Sequence, residues 1–126
     1  LKVYAAIDQY RSSLEKEYEY IQRKIDAGAC GFFTQPFFDL NLLEDYLKKL
    51  AGIDVFWGVS PVITEKSKKY WEDNNKVKFP ADFSLTLEWN RHLAAEMFSF
   101  TKEIVHAHIY FMPIKMDFVD YLTGII

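Results

Sequence analysis

Residues 26–39 read Asp-Ala-Gly-Ala-Cys-Gly-Phe-Phe-Thr-Gln-Pro-Phe-Phe-Asp, and their punctuation decides the fold. A charged, helix-patterned stretch stops at Gly28, where glycine takes the left-handed backbone that ends helices. An apolar run, Cys30 to Phe33, follows at once and closes on the polar pair Thr34 and Gln35, with Pro36 behind them. Helix, glycine stop, apolar strand and polar strand end together describe one unit of a parallel β/α fold, in which ligands are held at the carboxyl ends of strands. Two aromatics, Phe37 and Phe38, then mark the edge as a candidate binding surface.

The same unit recurs outward from this stretch. Leu1–Ile7 reads as a buried strand with Val3, Ala5 and Ile7 on one face, and Ser12-x-x-Glu15 reads as a capping box opening a helix to Ala27. Leu14, Tyr18, Ile21 and Ile25 recur every three to four residues on that helix. The second strand is Cys30–Thr34 and its helix Leu40–Leu50. The third strand is Asp54–Val59, with a short helix over Thr64–Asp73 and a polar turn from Asn74 to Pro80. A longer helix spans Leu85–Val105 with Trp89, Leu93, Ala94, Met97, Phe100 and Ile104 near one face. The fourth strand is Ala107–Met112, and a last helix covers Met116–Leu122. Four βα units with short connections predict an α/β fold with parallel pairing and right-handed crossovers. Strands apolar on both faces are those of a covered parallel sheet, whereas a half-barrel leaves two sheet edges and its inner apolar face uncovered. Four strands are half of an eight-stranded barrel, and an open sheet is the alternative. No internal repeat or domain boundary is visible, so residues 1–126 read as a single domain.

Composition narrows the function classes. The chain has 126 residues, 50% hydrophobic and 17% aromatic, which is globular. A net charge of −3 with scattered Lys and Arg argues against nucleic acid. No apolar run reaches the ~18 residues of a membrane span, so no membrane partner is expected. The single cysteine, Cys30, excludes an internal disulfide, fits a reducing cytoplasmic compartment, and reads as a buried inert thiol. There is no initiating Met and the chain opens inside a strand pattern, so it is expected to be a piece of a longer protein.

Few residues carry a chemical signature. There is no Gly-rich phosphate loop and no metal-type Cys or His spacing; His106 and His108 share a strand face without an evident third ligand, so no metal is expected. Gln35 donates and accepts together, which suits the amide-like edge of a pterin or pyrimidine, and by spacing suits capping of the next loop equally. Lys24, in the last turn of the first helix, favours the helix dipole or pairs with a phosphate, and Glu17 lies on the same face at i, i+7. Tyr70 and Trp71 are neighbours on a helix and point about 100° apart, so one of them is free to form a stacking surface.

Lys24-Ile25-Asp26-Ala27-Gly28-Ala29 and Phe33-Thr34-Gln35-Pro36-Phe37-Phe38-Asp39 resemble the Lys-x-x-Ala-Gly-Ala…Thr-Gln-x-Phe-Phe-Asp block of methylenetetrahydrofolate reductases. Gly58-Val59-Ser60-Pro61-Val62, Asn75-Lys76-Val77-Lys78-Phe79-Pro80 and Ala107–Met112 are similar, in order, to later segments of that family. The resemblance implies the second half of a (β/α)8 TIM barrel that binds FAD and reduces 5,10-methylenetetrahydrofolate to 5-methyltetrahydrofolate, with NAD(P)H or another reductant as donor. It implies that Gln35 bonds the pterin, that Trp71 stacks on the p-aminobenzoyl ring or on nicotinamide, and that Ser67 joins that folate-binding face. Lys24 and Glu17 match residues of the flavin site, with Ala5 and Ile7 on the strand beside the flavin. The family's catalytic carboxylates lie on earlier strands, so no catalytic residue is expected in this half and the fragment alone is expected to be inactive. The implied partners are the folate substrate and the N-terminal half of the same barrel, within a homo-oligomer. A non-catalytic half-barrel serving as an assembly subunit is the competing reading. There are two departures: the family's Tyr-Pro-x-x-His-Pro after its fifth strand is replaced by the shorter Ile7-Asp8-Gln9-Tyr10-Arg11, in which Tyr10 or Arg11 is the substitute for the histidine, Arg11 as a phosphate partner, and the last strand reads Tyr110-Phe111-Met112-Pro113 without the family's threonine and asparagine.

Overall fold

A computed structural model describes residues 1–113 and 116–126. Its elements are β1 (Val3–Ile7), α1 (Leu14–Asp26), β2 (Ala29–Pro36), α2 (Leu40–Lys49), β3 (Val55–Val59), α3 (Glu65–Asn75), α4 (Leu87–Thr101), β4 (Ala107–Phe111) and α5 (Phe118–Leu122). The four strands form one parallel sheet in the order β1-β2-β3-β4. Each crossover therefore steps to the next position in the same direction. A doubly wound sheet would reverse order at a switch point; sequential order is that of part of a TIM barrel.

Helices cover one face of the sheet. Ile7 of β1, Phe32 of β2 and Val55, Trp57 and Val59 of β3 are buried in one cluster with Ile21 of α1, Leu43 and Tyr46 of α2, and Leu93 and Met97 of α4. The opposite face carries a row of rings. Phe33 stacks on its register partner Phe56 at 4.7 Å, Phe56 on its partner His108 at 4.5 Å, and Tyr110 meets Phe33 edge-on at 5.5 Å. Tyr4, Phe33 and Tyr110 are exposed there. Strands apolar on both faces thus have helices on one face and an aromatic row on the other, the face that a half-barrel leaves open.

Several local expectations shift by a residue or more. The N-cap of α1 is Ser13, not Ser12: its Oγ accepts the Lys16 N–H at 3.2 Å, and with lysine at that position no reciprocal box forms. Helix α3 runs two residues past Asp73, and Lys76 closes it in the left-handed region at φ 59°. Leu1–Ile7 is less buried than its apolar pattern suggests, because β1 is an edge strand and only Ile7 is fully enclosed. Cys30 is exposed, not buried. It sits at the start of β2 in a register irregularity: Val3 pairs with Ala29 and Tyr4 with Gly31, so Cys30 has no partner on β1.

At this amino end of the strands, Tyr4 Oη donates to Asp54 Oδ2 at 3.0 Å and His108 Nε2 lies 2.7 Å from Asp54 Oδ1. The His108 bond, with help from Tyr4, holds the Asp54 carboxyl below its usual 3.8. A depressed carboxylate adds stability above its unfolded pKa, and that stability is lost as pH falls through the lower folded value. Asp54→Asn is expected to lower Tm by a few degrees at pH 7, about the worth of one partly exposed pair. Thermal melts should show the difference from the parent shrinking below pH 4; a constant difference down to pH 2 would refute the pairing.

Candidate functional site

The carboxyl edge of the sheet is built around an irregularity in β2. Its register against β3 shifts between Phe33 and Pro36, and bulges of this kind re-aim side chains beside binding sites. Thr34 holds the bulge closed: its Oγ1 accepts the Gly58 N–H at 2.8 Å and donates to the Gln35 carbonyl at 2.8 Å. Gly58 is required by the close approach, because a Cβ there would lie 3.2 Å from the carbonyl oxygens of both Thr34 and Gln35. Of the polar pair, Thr34 is therefore spent inside the sheet, while the half-buried Gln35 keeps its amide at the edge. The Gln35 side chain accepts one long bond, 3.4 Å, from Asn75 Nδ2 at the end of α3.

The loop after β1 clasps this edge. Gln9, only 4% exposed, donates through Nε2 to the carbonyls of Gln35 (2.7 Å) and Pro36 (3.3 Å), and its Oε1 accepts the Gln35 N–H at 3.2 Å. Tyr10 Oη donates to the Pro36 carbonyl at 2.5 Å, and burial pushes that phenol's pKa up, so it stays a donor. Sequence reasoning did not single out Gln9: a glutamine in a loop carries no signal until the loop is folded against β2. Asn90 is similar. Buried in α4, it accepts the Val62 N–H at 2.9 Å and donates to the Val62 carbonyl at 2.9 Å, anchoring the loop that follows β3.

Glu17 is fully buried, and its carboxylate accepts Arg11 Nε at 2.8 Å, Arg11 Nη2 at 2.9 Å and the Asp8 N–H at 3.2 Å. This bidentate pairing pushes the Arg11 guanidinium pKa still higher and fixes its plane. Arg11 itself stays 43% exposed with further N–H groups to offer. Lys24 Nζ donates to the Ala6 carbonyl on β1 at 2.5 Å. Ala5 and Ile7 point to the helix layer, opposite the face of Tyr4, so β1 meets its surroundings there through backbone. The structure thus brings Lys24, Arg11 and Glu17 to the β1 side of the sheet, with the Glu17 carboxylate buried against Arg11 and the Asp8 N–H.

Ser67 and Trp71 come together on the other side. A cleft of about 430 Å³ lies between the loop after β3 and the first turns of α3, lined by Ser60, Pro61, Ile63, Thr64, Lys66, Ser67, Tyr70 and Trp71. Trp71 is 8% exposed and packs toward Phe38, whereas Tyr70 is 56% exposed and meets Trp71 edge-on at 5.6 Å. His106 lies before β4 at φ 71°, while His108 is engaged by Asp54. No group of three or more His, Cys, Asp or Glu able to hold a metal occurs among the described residues, and no described helix is long and apolar enough to cross a membrane.

Comparison with known proteins agrees with this architecture. The family model described as Methylenetetrahydrofolate reductase matches residues 1–106. The 5,10-methylenetetrahydrofolate reductase of Salmonella typhimurium (strain LT2) is 32% identical over 127 aligned positions, which take in 95% of this chain and 38% of that protein. The chain therefore spans about two fifths of the length of the curated relative it matches. With the family model matched over residues 1–106 of its 126, this chain belongs to the methylenetetrahydrofolate reductase family.

Proposed function

We propose that this chain is the half of a (β/α)8 barrel that carries strands five to eight of a flavin-dependent methylenetetrahydrofolate reductase. In the intact protein it supplies the folate clamp and one wall of the flavin site. The observation that carries the reading is the Gln35 amide, turned to the carboxyl edge by the β2 bulge and held there by Gln9 through its own backbone. An amide with one long side-chain bond can donate to and accept from the pterin edge at little cost in lost contacts. Ser67 and Trp71 form the adjoining cleft that receives the p-aminobenzoyl ring.

The donor chemistry on the β1 side fits FAD. Arg11 and Lys24 supply cations suited to a diphosphate, and the backbone of Ala5 and Ile7 offers the strand edge. Glu17 serves this site through Arg11, as a positioning residue. FAD, when bound, relays the hydride from NAD(P)H or another donor to the folate. No side chain of this chain is given a proton to move; the acid that activates the substrate belongs to the other half of the barrel.

Assay of the intact protein tests the proposal. It is expected to be yellow and to reduce 5,10-methylenetetrahydrofolate, whereas the 126-residue chain with added FAD is expected to show no turnover. Turnover by the chain alone would overturn the half-site account. A second reading is favoured by the exposed Tyr4, Phe33 and Tyr110 and by the open edges of β1 and β4: a non-catalytic half-barrel that pairs with another copy. Colourless material eluting as a dimer would support that reading.

A further inference from the structure

The last residue of β1 paired with β2 is Ile7, opposite Thr34. Gln35 and Pro36 therefore run past the end of β1. On the other side, the register with β3 pairs Phe33 with Phe56 and Pro36 with Gly58, and passes over Thr34 and Gln35. The backbone of Gln35 thus lies where neither neighbouring strand holds it in regular register, and backbone polar groups at such a place need other partners.

Gln9 stands in for the missing strand. A side-chain amide carries a donor and an acceptor, as a peptide unit does. Gln9 uses both on β2: Nε2 donates to the carbonyls of Gln35 at 2.7 Å and Pro36 at 3.3 Å, and Oε1 accepts the Gln35 N–H at 3.2 Å. The N–H and the carbonyl of one residue belong to the two peptide planes on either side of its Cα. Holding both planes fixes the direction of the Cα–Cβ bond, and so where the Gln35 side chain sets out. Tyr10 Oη adds a second bond to the Pro36 carbonyl. The loop that carries Gln9 is itself tied down, since the Asp8 N–H donates to Glu17 Oε2 at 3.2 Å and Asp8 Oδ1 accepts the Tyr10 N–H at 3.0 Å. Gln9 is 4% exposed with both polar atoms engaged, so it has nothing to offer a ligand directly. The Gln35 side chain, by contrast, is steadied only by the 3.4 Å bond from Asn75 Nδ2. Its aim depends on its backbone, and its backbone depends on Gln9.

We propose that Gln9 is a positioning residue for the folate reaction: it clamps the N–H and carbonyl of residue 35 and thereby aims the Gln35 amide at the pterin. The proposal rests on the folate reading given above. Gln9 then matters to turnover only while residue 35 has an amide to aim, whereas its contribution to the fold is the same whatever side chain stands at 35.

A double-mutant cycle in the intact protein separates these two effects. Gln9→Leu keeps the bulk and loses both polar atoms. It should lower kcat/KM for 5,10-methylenetetrahydrofolate about tenfold, the worth of one of the two bonds from the Gln35 amide, with flavin absorbance unchanged. In a Gln35→Ala background the same change should cost less than about twofold. Melting temperature should fall by the same amount in both backgrounds, because the clamp acts on backbone that alanine retains. Gln9→Glu keeps the acceptor for the Gln35 N–H and loses the donor; it should also lower kcat/KM and likewise lose its effect beside Gln35→Ala. Should Gln9→Leu fail to fold, Gln9→Glu completes the cycle. Losses of equal size in the two backgrounds, or full activity in both Gln9 variants, overturn the positioning role and leave the folate reading standing. Absence of folate turnover by the parent overturns the function proposed above, and this role with it.

Discussion

Gln35→Ala, introduced into the intact protein, is expected to lower kcat/KM for methylenetetrahydrofolate about a hundredfold, with flavin absorbance and melting temperature unchanged. The size follows from two hydrogen bonds to the pterin, each worth about 1–1.5 kcal/mol in a site closed to water. The backbone reasons for the insensitivity of the fold are specific. Thr34 holds the bulge through Gly58, and Gln9 holds residue 35 through its N–H and carbonyl, none of which alanine removes. The substitution deletes only the long bond from Asn75 within the chain. Gln35→Glu separates orientation from bulk, because it keeps the shape and loses the donor; it should be nearly as impaired. Unchanged turnover in Gln35→Ala would remove Gln35 from the substrate site, and a large fall in Tm would show that its role is structural.

Glu17→Ala should destabilise the protein by about 3 kcal/mol, read as a shift in the urea midpoint at constant slope. Glu17 is fully buried and its carboxylate accepts three bonds, two from Arg11 and one from the Asp8 N–H. Alanine leaves the Asp8 N–H without its acceptor, opens a cavity beside Ile21 and frees the guanidinium. Because Arg11 is 43% exposed, water takes over part of its solvation, which keeps the cost below that of a fully enclosed ion pair. The loop from Asp8 to Arg11 should loosen with it, and that loop carries the Gln9 clasp on the β2 edge. Folate KM is therefore expected to rise in the same variant, which would not occur if Glu17 were only a surface charge. A shift below 1 kcal/mol would mean that the Arg11 pair contributes little to the fold.

The contrast between Gln35 and Glu17 shows how far the sequence reached. Gln35 stood at a strand end before a proline, and strand ends are legible because hydrophobic runs, glycine stops and prolines act locally. Its neighbour Thr34 looked equivalent, yet the bulge turned the threonine into a bridge to Gly58 and left the amide at the edge. Glu17 shared a helical face with Lys24, which suggested a joint polar site. Folding placed Glu17 under the β1 loop with Arg11 and placed Lys24 on the Ala6 carbonyl. Tyr70 and Trp71 were separable in principle by their 100° offset, but which one faced solvent depended on Phe38, more than thirty positions earlier in the chain.

The errors have the same origin. Cys30 lies in an apolar run and was expected inside, but it falls at a register shift between β1 and β2, which pairs Ala29 and Gly31 and passes over it. The strand patterns were apolar on both faces, which suits a sheet covered on both as well as a half-barrel open on its inner face. An aromatic row, Phe33, Phe56 and His108, reads identically whether it meets a helix or other rings.

The amino-acid sequence alone determined the alternation of strands and helices, the class of the fold, the family block around Gly28 to Asp39 and the candidacy of Gln35, since each rests on neighbours along the chain. Only the tertiary structure decided the strand order, the single covered face, the clasp of Gln9, the burial of Glu17 with Arg11, and the cleft that Ser67 shares with Trp71. Those depend on residues separated by many positions, and a side chain's charge or amide acquires a role only when burial removes water and a distant partner takes its place.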